Sequence, residues 1–402
     1  MNICVVSETY WPDVNGVAMT LRRLTTGLVE HGHQVGVIST RNGRRTIDDV
    51  RGLEYCQEVP GFPLPGYSEV RIGLPAWRAL RQRWLKDVPD VIYVATEGLL
   101  GWSAVQVATS LGIKVCSGFH TNFHRYSQYY GAPFLEKFVT NHLVTLHNRT
   151  RCTIVPTEDQ RHALRDLGIA DVRVIGRGVD TELFNPQRRD LRLRTCWSAT
   201  PGDPVVIYVG RIAEEKNLDL TLRAAELMRA RNSRIRCVVV GDGPALPRLR
   251  KDYPQTLFVG QKTGEDLARY YASADLFLFA STTETFGNVI LEAMASGLAV
   301  IAYDYAAGRM HITSGQTGLL ADIDDEQQFQ KHAARLADDP VMIRNLRNDA
   351  ASYATTQSWD AIVHSFEDLL AEVCGCEEFK LQPIQPLKNT PQQLQHTSLS
   401  TK

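Results

Sequence analysis

Short apolar runs alternate with amphipathic stretches along this chain, stop at a charged break, and then alternate again. The first round has strand-like runs at 3–6, 34–39, 91–95, 114–119, 153–156 and 172–175, with helix-like stretches at 20–31, 76–86, 103–111, 134–151 and 157–167. The break at 181–203 carries Pro186 and Pro201, with Pro204 beside it. The second round has strand-like runs at 205–209, 236–240, 256–259, 276–279 and 299–302, and closing helices at 325–336, 341–353 and 359–373. A continuous apolar run reads as a strand buried on both faces, and strand–helix–strand order pairs strands in parallel through crossover helices. With 402 residues the chain can bury two cores. The pattern predicts an α/β protein with two parallel-sheet domains across a cleft: residues 1–185, a linker at 186–204, residues 205–357, and a C-terminal helix at 358–374. The remainder, 375–402, is rich in Gln, Pro, Thr and Ser, and that composition cannot build a core. Ligands of open parallel sheets bind past the C-terminal ends of the strands. Residues just after each strand are therefore the first candidates.

Bulk properties exclude some classes. A net charge of −1 gives no general case for nucleic acid. Eight cysteines are scattered without CxxC or Cys/His spacing, and the C-x-C at Cys374 and Cys376 reads as incidental, so a reducing cytosol is expected. Residues 1–10 (MNICVVSETY) read as a strand and not as a leader, lacking a basic start and a long apolar run. No window approaches about 18 uninterrupted apolar residues, so any work on lipid is expected from the membrane surface.

The chemistry concentrates at 284–292, ETFGNVILE, between the apolar run 274–280 and a helix-like run. The first turn (Phe286, Gly287, Asn288, Val289) offers backbone N–H groups with no partner inside the helix, and these with the helix dipole suit a phosphate. Glu284 precedes that turn and Glu292 lies within the helix, both able to accept hydrogen bonds from hydroxyls. Such a carboxylate pair also occurs in glycosidases. A hydrolase of free glycosides, however, needs neither a phosphate-seeking helix start nor nearby cations. Arg211 and Lys216 follow the strand ending at Val209 and supply those cations; fixed there, they stabilise a diphosphate leaving group as it gains charge. On the first half, Gly16 stands in the loop between the first strand and the first helix, His120 ends the run 114–119, and Glu97 follows the run 91–95. His124 and Glu97 are acceptor-side candidates. The Asp322-x-Asp324 pair lies in a polar turn, and no metal site is expected.

Three motifs occur in order: YVGRIAEEKN at 208–217, GDGP at 241–244 and ETFGNVILEAMASG at 284–297. Together they resemble the retaining nucleotide-sugar glycosyltransferases of family 4, which have the GT-B architecture of two Rossmann-like domains. SETYWPDVNG, TEGLLGW, GFHTNFHRY and RGVDTELFNP in the first half narrow the resemblance to GDP-mannose-dependent alpha-mannosyltransferases and their sulfolipid-synthase relatives. The resemblance implies that Arg211 and Lys216 bind the phosphates, Glu284 the donor sugar and Glu292 the ribose diol. It places His120 against the donor sugar near the reacting carbon, and Gly16 and Gly241 near the diphosphate. Family members often carry two glycines where this chain has Asn15 and Gly16. They also carry a glutamate just before the segment at His311, where Arg309 and Met310 stand after Gly308. The implied activity is transfer of a hexose, mannose from GDP-mannose, to a lipid or glycan hydroxyl with retention of configuration and no metal or other cofactor. A UDP-sugar-dependent glycolipid glycosyltransferase and a nucleotide-sugar epimerase or hydrolase are the alternatives. A dehydrogenase is disfavoured, since no G-x-G-x-x-G follows the first strand.

The stretch 75–86, PAWRALRQRWLK from Pro75 to Lys86, interleaves Trp77, Leu80, Trp84 and Leu85 with four cations. A basic helix of that kind can lie on an anionic bilayer, although ordinary packing of the tryptophans into the first domain is the competing reading. The expected location is the cytoplasm, with peripheral contact at the cytoplasmic face of the inner membrane through this helix.

Overall fold

Seven parallel strands of the first half form one sheet, in the order β3-β2-β1-β6-β7-β8-β9. These are β1 (Asn2–Ser7), β2 (Gln34–Thr40), β3 (Tyr55–Val59), β6 (Val91–Val94), β7 (Lys114–Gly118), β8 (Thr153–Val155) and β9 (Val172–Val174). The small hairpin β4 (Gly61–Leu64) and β5 (Tyr67–Gly73) stands apart from it. Between the strands run α1 (Gly16–Glu30), α2 (Trp77–Lys86), α3 (Leu99–Leu111), α4 (Pro133–His147) and α5 (Glu158–Asp166). This computed structural model describes residues 1–13, 15–41, 52–64, 67–120, 133–283 and 286–375.

The second lobe repeats the plan with a six-stranded parallel sheet, β12-β11-β10-β13-β14-β15. Its strands are β10 (Val205–Val209), β11 (Arg236–Val240), β12 (Leu257–Phe258), β13 (Leu276–Phe279), β14 (Ala299–Tyr303) and β15 (Leu319–Ala321). Its helices are α6 (Leu191–Cys196), α7 (Leu218–Arg231), α8 (Leu246–Asp252), α9 (Gly264–Ser273), α10 (Asn288–Ala295), α11 (Ala306–His311), α12 (Glu326–Asp338) and α13 (Pro340–Thr355). Val205, Val206, Ile207, Leu276, Phe277 and Leu278 are wholly buried, because helices cover both faces. Each such side chain contributes about 1.5–3 kcal/mol relative to exposure.

The 186–204 stretch packs firmly on the second lobe. Arg194, 1% exposed, donates to the Ser273, Thr200 and Asp203 carbonyls and pairs with Asp275, which also holds Arg189 and Arg347. A buried carboxylate shared by three guanidiniums keeps its charge compensated. The last helix, α14 (Trp359–Cys374), crosses back: Val179 and Ser358 form a bridge, and Val363, Phe366 and Leu370 enter the core of the first lobe.

Three elements differ from the sequence reading. β3 (YCQEV) lacks a continuous apolar run because it is an edge strand and only partly buried. The β4–β5 hairpin is short and contains Pro63. α1 begins at Gly16 and not near residue 20, because the Asn15 side chain caps it, accepting from the Val17 and Ala18 amides at 3.1 and 2.9 Å.

Candidate active site

In the second lobe the loops after β10, β11 and β13 are tied to one another. After β10, Arg211 leads into a single turn of 3-10 helix, Glu214–Lys216, and the Tyr208 hydroxyl donates to the Arg211 carbonyl at 3.0 Å. The Ile212 amide donates to the Asp242 carbonyl at 2.9 Å, and the Ala245 amide to the Ile212 carbonyl at 3.1 Å. This seats the GDGP loop against the Arg211 loop. Gly241 is required there: its φ is 146°, and a Cβ would stand 1.9 Å from the Gly210 carbonyl oxygen. The Thr283 hydroxyl donates to the Glu215 carbonyl at 3.0 Å, which fastens the segment before α10 to the same edge.

α10 then opens at Gly287, with φ 94° and no side-chain cap. Its first amides, including those of Asn288 and Val289, are thus left available to an anion. Phe286 is buried, packs edge-on to His311 at 5.6 Å, and its carbonyl accepts from the Ala307 amide at 2.9 Å. The Asn288 Oδ1 is buried with no partner among the described residues. Arg211 is exposed and reaches Glu215 at 3.5 Å; Lys216 is half-buried. Glu292 accepts from the Tyr271 hydroxyl at 3.1 Å, and burial pushes its carboxyl up to about 7 against that hydrogen bond. Glu284 lies outside the described residues, as do His124 and the 376–402 tail.

The corresponding edge of the first lobe is acidic and half-buried. His120, after β7, shares a 2.7 Å hydrogen bond between its Nε2 and the Tyr93 hydroxyl, while its Nδ1 is buried and has no partner among the described residues. Burial, reinforced by the Arg177 charge, pulls His120 down to about 3, so it is neutral at physiological pH. Burial also drives the Glu97 carboxyl up to about 8; the Glu8 charge adds to this, and the backbone amide of Glu97 itself opposes it. Glu8 sits over the start of α3, accepting from the Leu100 amide at 3.1 Å, and burial raises it to about 7 despite the Leu100 and Gly98 amides. Two carboxyls and a neutral imidazole that titrate away from their ordinary ranges thus share one strand-end edge.

Gly16 lies at the first position of α1, and Asn15 caps the helix where family members have a second glycine. Arg309 does not open toward a sugar: it bridges the lobes, reaching Asp159 at 2.5 Å and Asp304 at 3.1 Å. The pair Asp322 and Asp324 forms a turn in which Asp324 has φ 63° and the Asp322 amide donates to Gln328.

The sequence alone does not single out Glu8, Tyr93 or Arg177. Glu8 directly follows the first strand, which is a usable signal. Tyr93 lies within a buried strand and looks like core. Arg177, in RGVDTELFNP, is separated from the other site residues in sequence, and only the fold sets it beside Gly16.

On α2, Leu80 and Trp84 are wholly buried, so Trp84 packs into the core and offers no interfacial ring. Arg83 stacks on Tyr55 at 3.5 Å and pairs with Asp87. Trp77, Leu85 and the cations Arg78, Arg81 and Lys86 remain exposed. Among the described residues no helix is long and apolar enough to cross a membrane.

Sequence patterns of known families match both lobes. The pattern described as Glycosyltransferase Family 4 matches residues 14–183, and that described as Glycosyl transferases group 1 matches residues 203–339. A protein named GDP-mannose-dependent alpha-mannosyltransferase from Mycobacterium tuberculosis is 34% identical over 80% of this chain and 83% of its own length. An alpha-monoglucosyldiacylglycerol synthase from Streptococcus pneumoniae is 30% identical over 75% of this chain and 71% of its own. The structure of HepE from Anabaena, in complex with UDP, superposes with a TM-score of 0.73 at 17% identity, covering 92% of this chain and all of that one. At that identity the likeness shows the two-lobed GT-B fold alone.

Proposed function

The chain belongs to the family 4 glycosyltransferases, and on that premise we propose that it moves mannose from GDP-mannose to a hydroxyl of a lipid or glycan, with retention of configuration. One observation carries the reading: three loops of the second lobe are hydrogen-bonded into a single edge that presents an uncapped helix start beside Arg211 and Lys216. That edge suits a diphosphate, and the half-buried Glu292 within α10 suits a ribose diol. The mannosyltransferase relative supports the donor. The glucosyldiacylglycerol synthase relative supports a lipid acceptor and keeps transfer of glucose in play.

In this reading the bond from the sugar's anomeric carbon to the diphosphate oxygen breaks as charge collects on the leaving group. Arg211, Lys216 and the α10 amides stabilise that charge without a divalent ion. The acceptor oxygen bonds to the same face of the anomeric carbon, and its proton passes to the departing phosphate. Neutral His120 hydrogen-bonds the donor sugar together with Glu284, and Glu97 receives the acceptor.

The test is incubation with a panel of nucleotide sugars, each offered diacylglycerol vesicles or soluble glycans, with products identified by mass. GDP-mannose should give an acceptor heavier by one hexose and free GDP. Product from a UDP-sugar alone would replace the donor. Free sugar or an isomerised nucleotide sugar, with no acceptor product, would replace the proposal with a hydrolase or an epimerase.

The proposal extends to peripheral attachment of a cytoplasmic protein to the inner membrane. It is supported by an exposed patch of Leu74, Trp77, Leu85 and Val88 beside Arg78, Arg81 and Lys86 on and around α2. The protein should sediment with anionic vesicles at low salt and less at high salt, each cation contributing about 1 kcal/mol. Arg78→Glu with Arg81→Glu should abolish this. Arg83 is left in place because it is committed to Tyr55 and Asp87. Equal binding by that double variant, or no binding to any vesicle, removes the membrane role.

A further inference from the structure

Among the described residues, Arg177 is a cation without a counter-ion. It is 7% exposed, and its Nε is buried with no hydrogen-bond partner among the described residues. No carboxylate among the described residues comes within ion-pair range of it. Its polar neighbours are neutral: burial holds the Tyr93 hydroxyl protonated, and His120 is uncharged. Burial pulls the guanidinium down to about 10, the direction expected of a charge that the fold does not compensate. A cation–π contact with Phe286, 5.6 Å from Cζ to the ring centre, is weak set against the cost of taking a charge out of water.

The surroundings say what compensates it. Nη1 lies 3.3 Å from where a Cβ of Gly16 would stand, at the opening of α1. Phe286, in the other lobe, immediately precedes the αL residue Gly287 that opens α10. Arg177 therefore stands between two helix N-termini, one from each lobe. The uncapped opening of α10 and a buried guanidinium with no carboxylate partner among the described residues make a site for a multiply charged anion.

We propose that Arg177 binds the terminal phosphate of the nucleoside diphosphate from the first lobe, opposite Arg211 and Lys216, and so makes diphosphate binding an interaction of both lobes. This rests on the reading of the site as a nucleotide-sugar site and adds the residue that joins its halves. A guanidinium there grips two phosphate oxygens at once and replaces the water it lacks.

The test compares wild type with Arg177→Met, titrated calorimetrically with GDP, GMP, UDP and UMP and melted without ligand. The ratio of diphosphate to monophosphate affinity should fall by about tenfold or more, the scale for losing one partner of a desolvated charge pair. The melting temperature should hold or rise, because Met fills the space without a buried charge. An unchanged ratio overturns the proposal. So does an equal loss of both affinities with a lowered melting temperature, which marks a packing role. If Arg177→Met does not fold, Arg177→Lys keeps the charge and loses the two-pronged grip; its ratio should fall by about threefold or more, and an unchanged ratio again overturns the proposal. A folded wild type that binds neither GDP nor UDP overturns this proposal and the nucleotide-sugar reading together. Wild-type binding with unchanged ratios in the variants overturns this proposal alone.

Discussion

The two lobes share a sheet plan but present opposite edges to the cleft. The second lobe offers backbone: loops hydrogen-bonded to one another, Gly241 and Gly287 at positive φ, an uncapped helix start and a largely exposed Arg211. The first lobe offers half-buried Glu8, Glu97 and His120, each titrating away from its ordinary range, and a buried Arg177. An edge of amides and exposed cations is built for a ligand that brings its own charge. An edge of neutral imidazole and protonatable carboxyls is built for hydroxyls. The comparison teaches that one fold, used twice, presents backbone amides and exposed cations from one lobe and partly or wholly buried titratable side chains from the other, with Arg177 the first-lobe group proposed to reach the nucleotide.

The sharpest break would come from the cations. Arg211→Ala or Lys216→Ala should lower turnover by about 10²–10³, the scale for removing one preorganised charge-stabilising group. Melting should be nearly unchanged, since Arg211 is exposed and Lys216 is half-buried. Near-wild-type turnover in either variant would leave the second lobe without its assigned role.

Glu292 tests the same lobe through pH. Its carboxyl is raised to about 7, and the carboxylate is the form that accepts from ribose hydroxyls. Nucleotide affinity should therefore rise as pH climbs through about 7, and Glu292→Gln should lower affinity by about tenfold and remove that component of the pH dependence. The stability sign is opposite. A carboxyl raised in the folded state stabilises below its unfolded value of 4.5 and loses that contribution as pH rises through 7. Glu292→Gln should consequently melt at least as high as wild type at pH 8. Calorimetry and thermal melts over pH 5–9 would check both.

Glu97→Gln probes the other edge. It should raise the acceptor KM by about tenfold and leave GDP or UDP affinity unchanged. A fall in nucleotide affinity with no change in acceptor KM would erase the division between the lobes. The smallest expected effect is that of chelation. If amides and cations neutralise the diphosphate as proposed, turnover should survive EDTA, and loss restored by magnesium or manganese would move the phosphate chemistry to a metal.

Much of the second lobe was legible because its site is local. Gly-Arg…Lys, GDGP and the helix opening at Gly287 each follow a strand within a few residues, and strand ends are where such sheets bind. The first lobe was legible only as single residues at strand ends, Gly16, Glu97 and His120. Burial sets their chemistry, and burial comes from contacts distant in sequence: Glu8 over the start of α3, Tyr93 against His120, Arg177 under Gly16. The edge strand β3 escaped notice because pairing on one side needs no unbroken apolar run. The burial of Trp84 is not legible in its stripe, because helical spacing alone does not say which face a neighbouring sheet covers.

Amide hydrogen exchange with and without GDP and UDP tests the central claim most directly, that both lobes close on one nucleoside diphosphate. The account predicts added protection in both lobes at once, around 15–20 and 176–179 in the first and around 210–216 and 286–292 in the second. Protection confined to the second lobe, or absent from both, would contradict it.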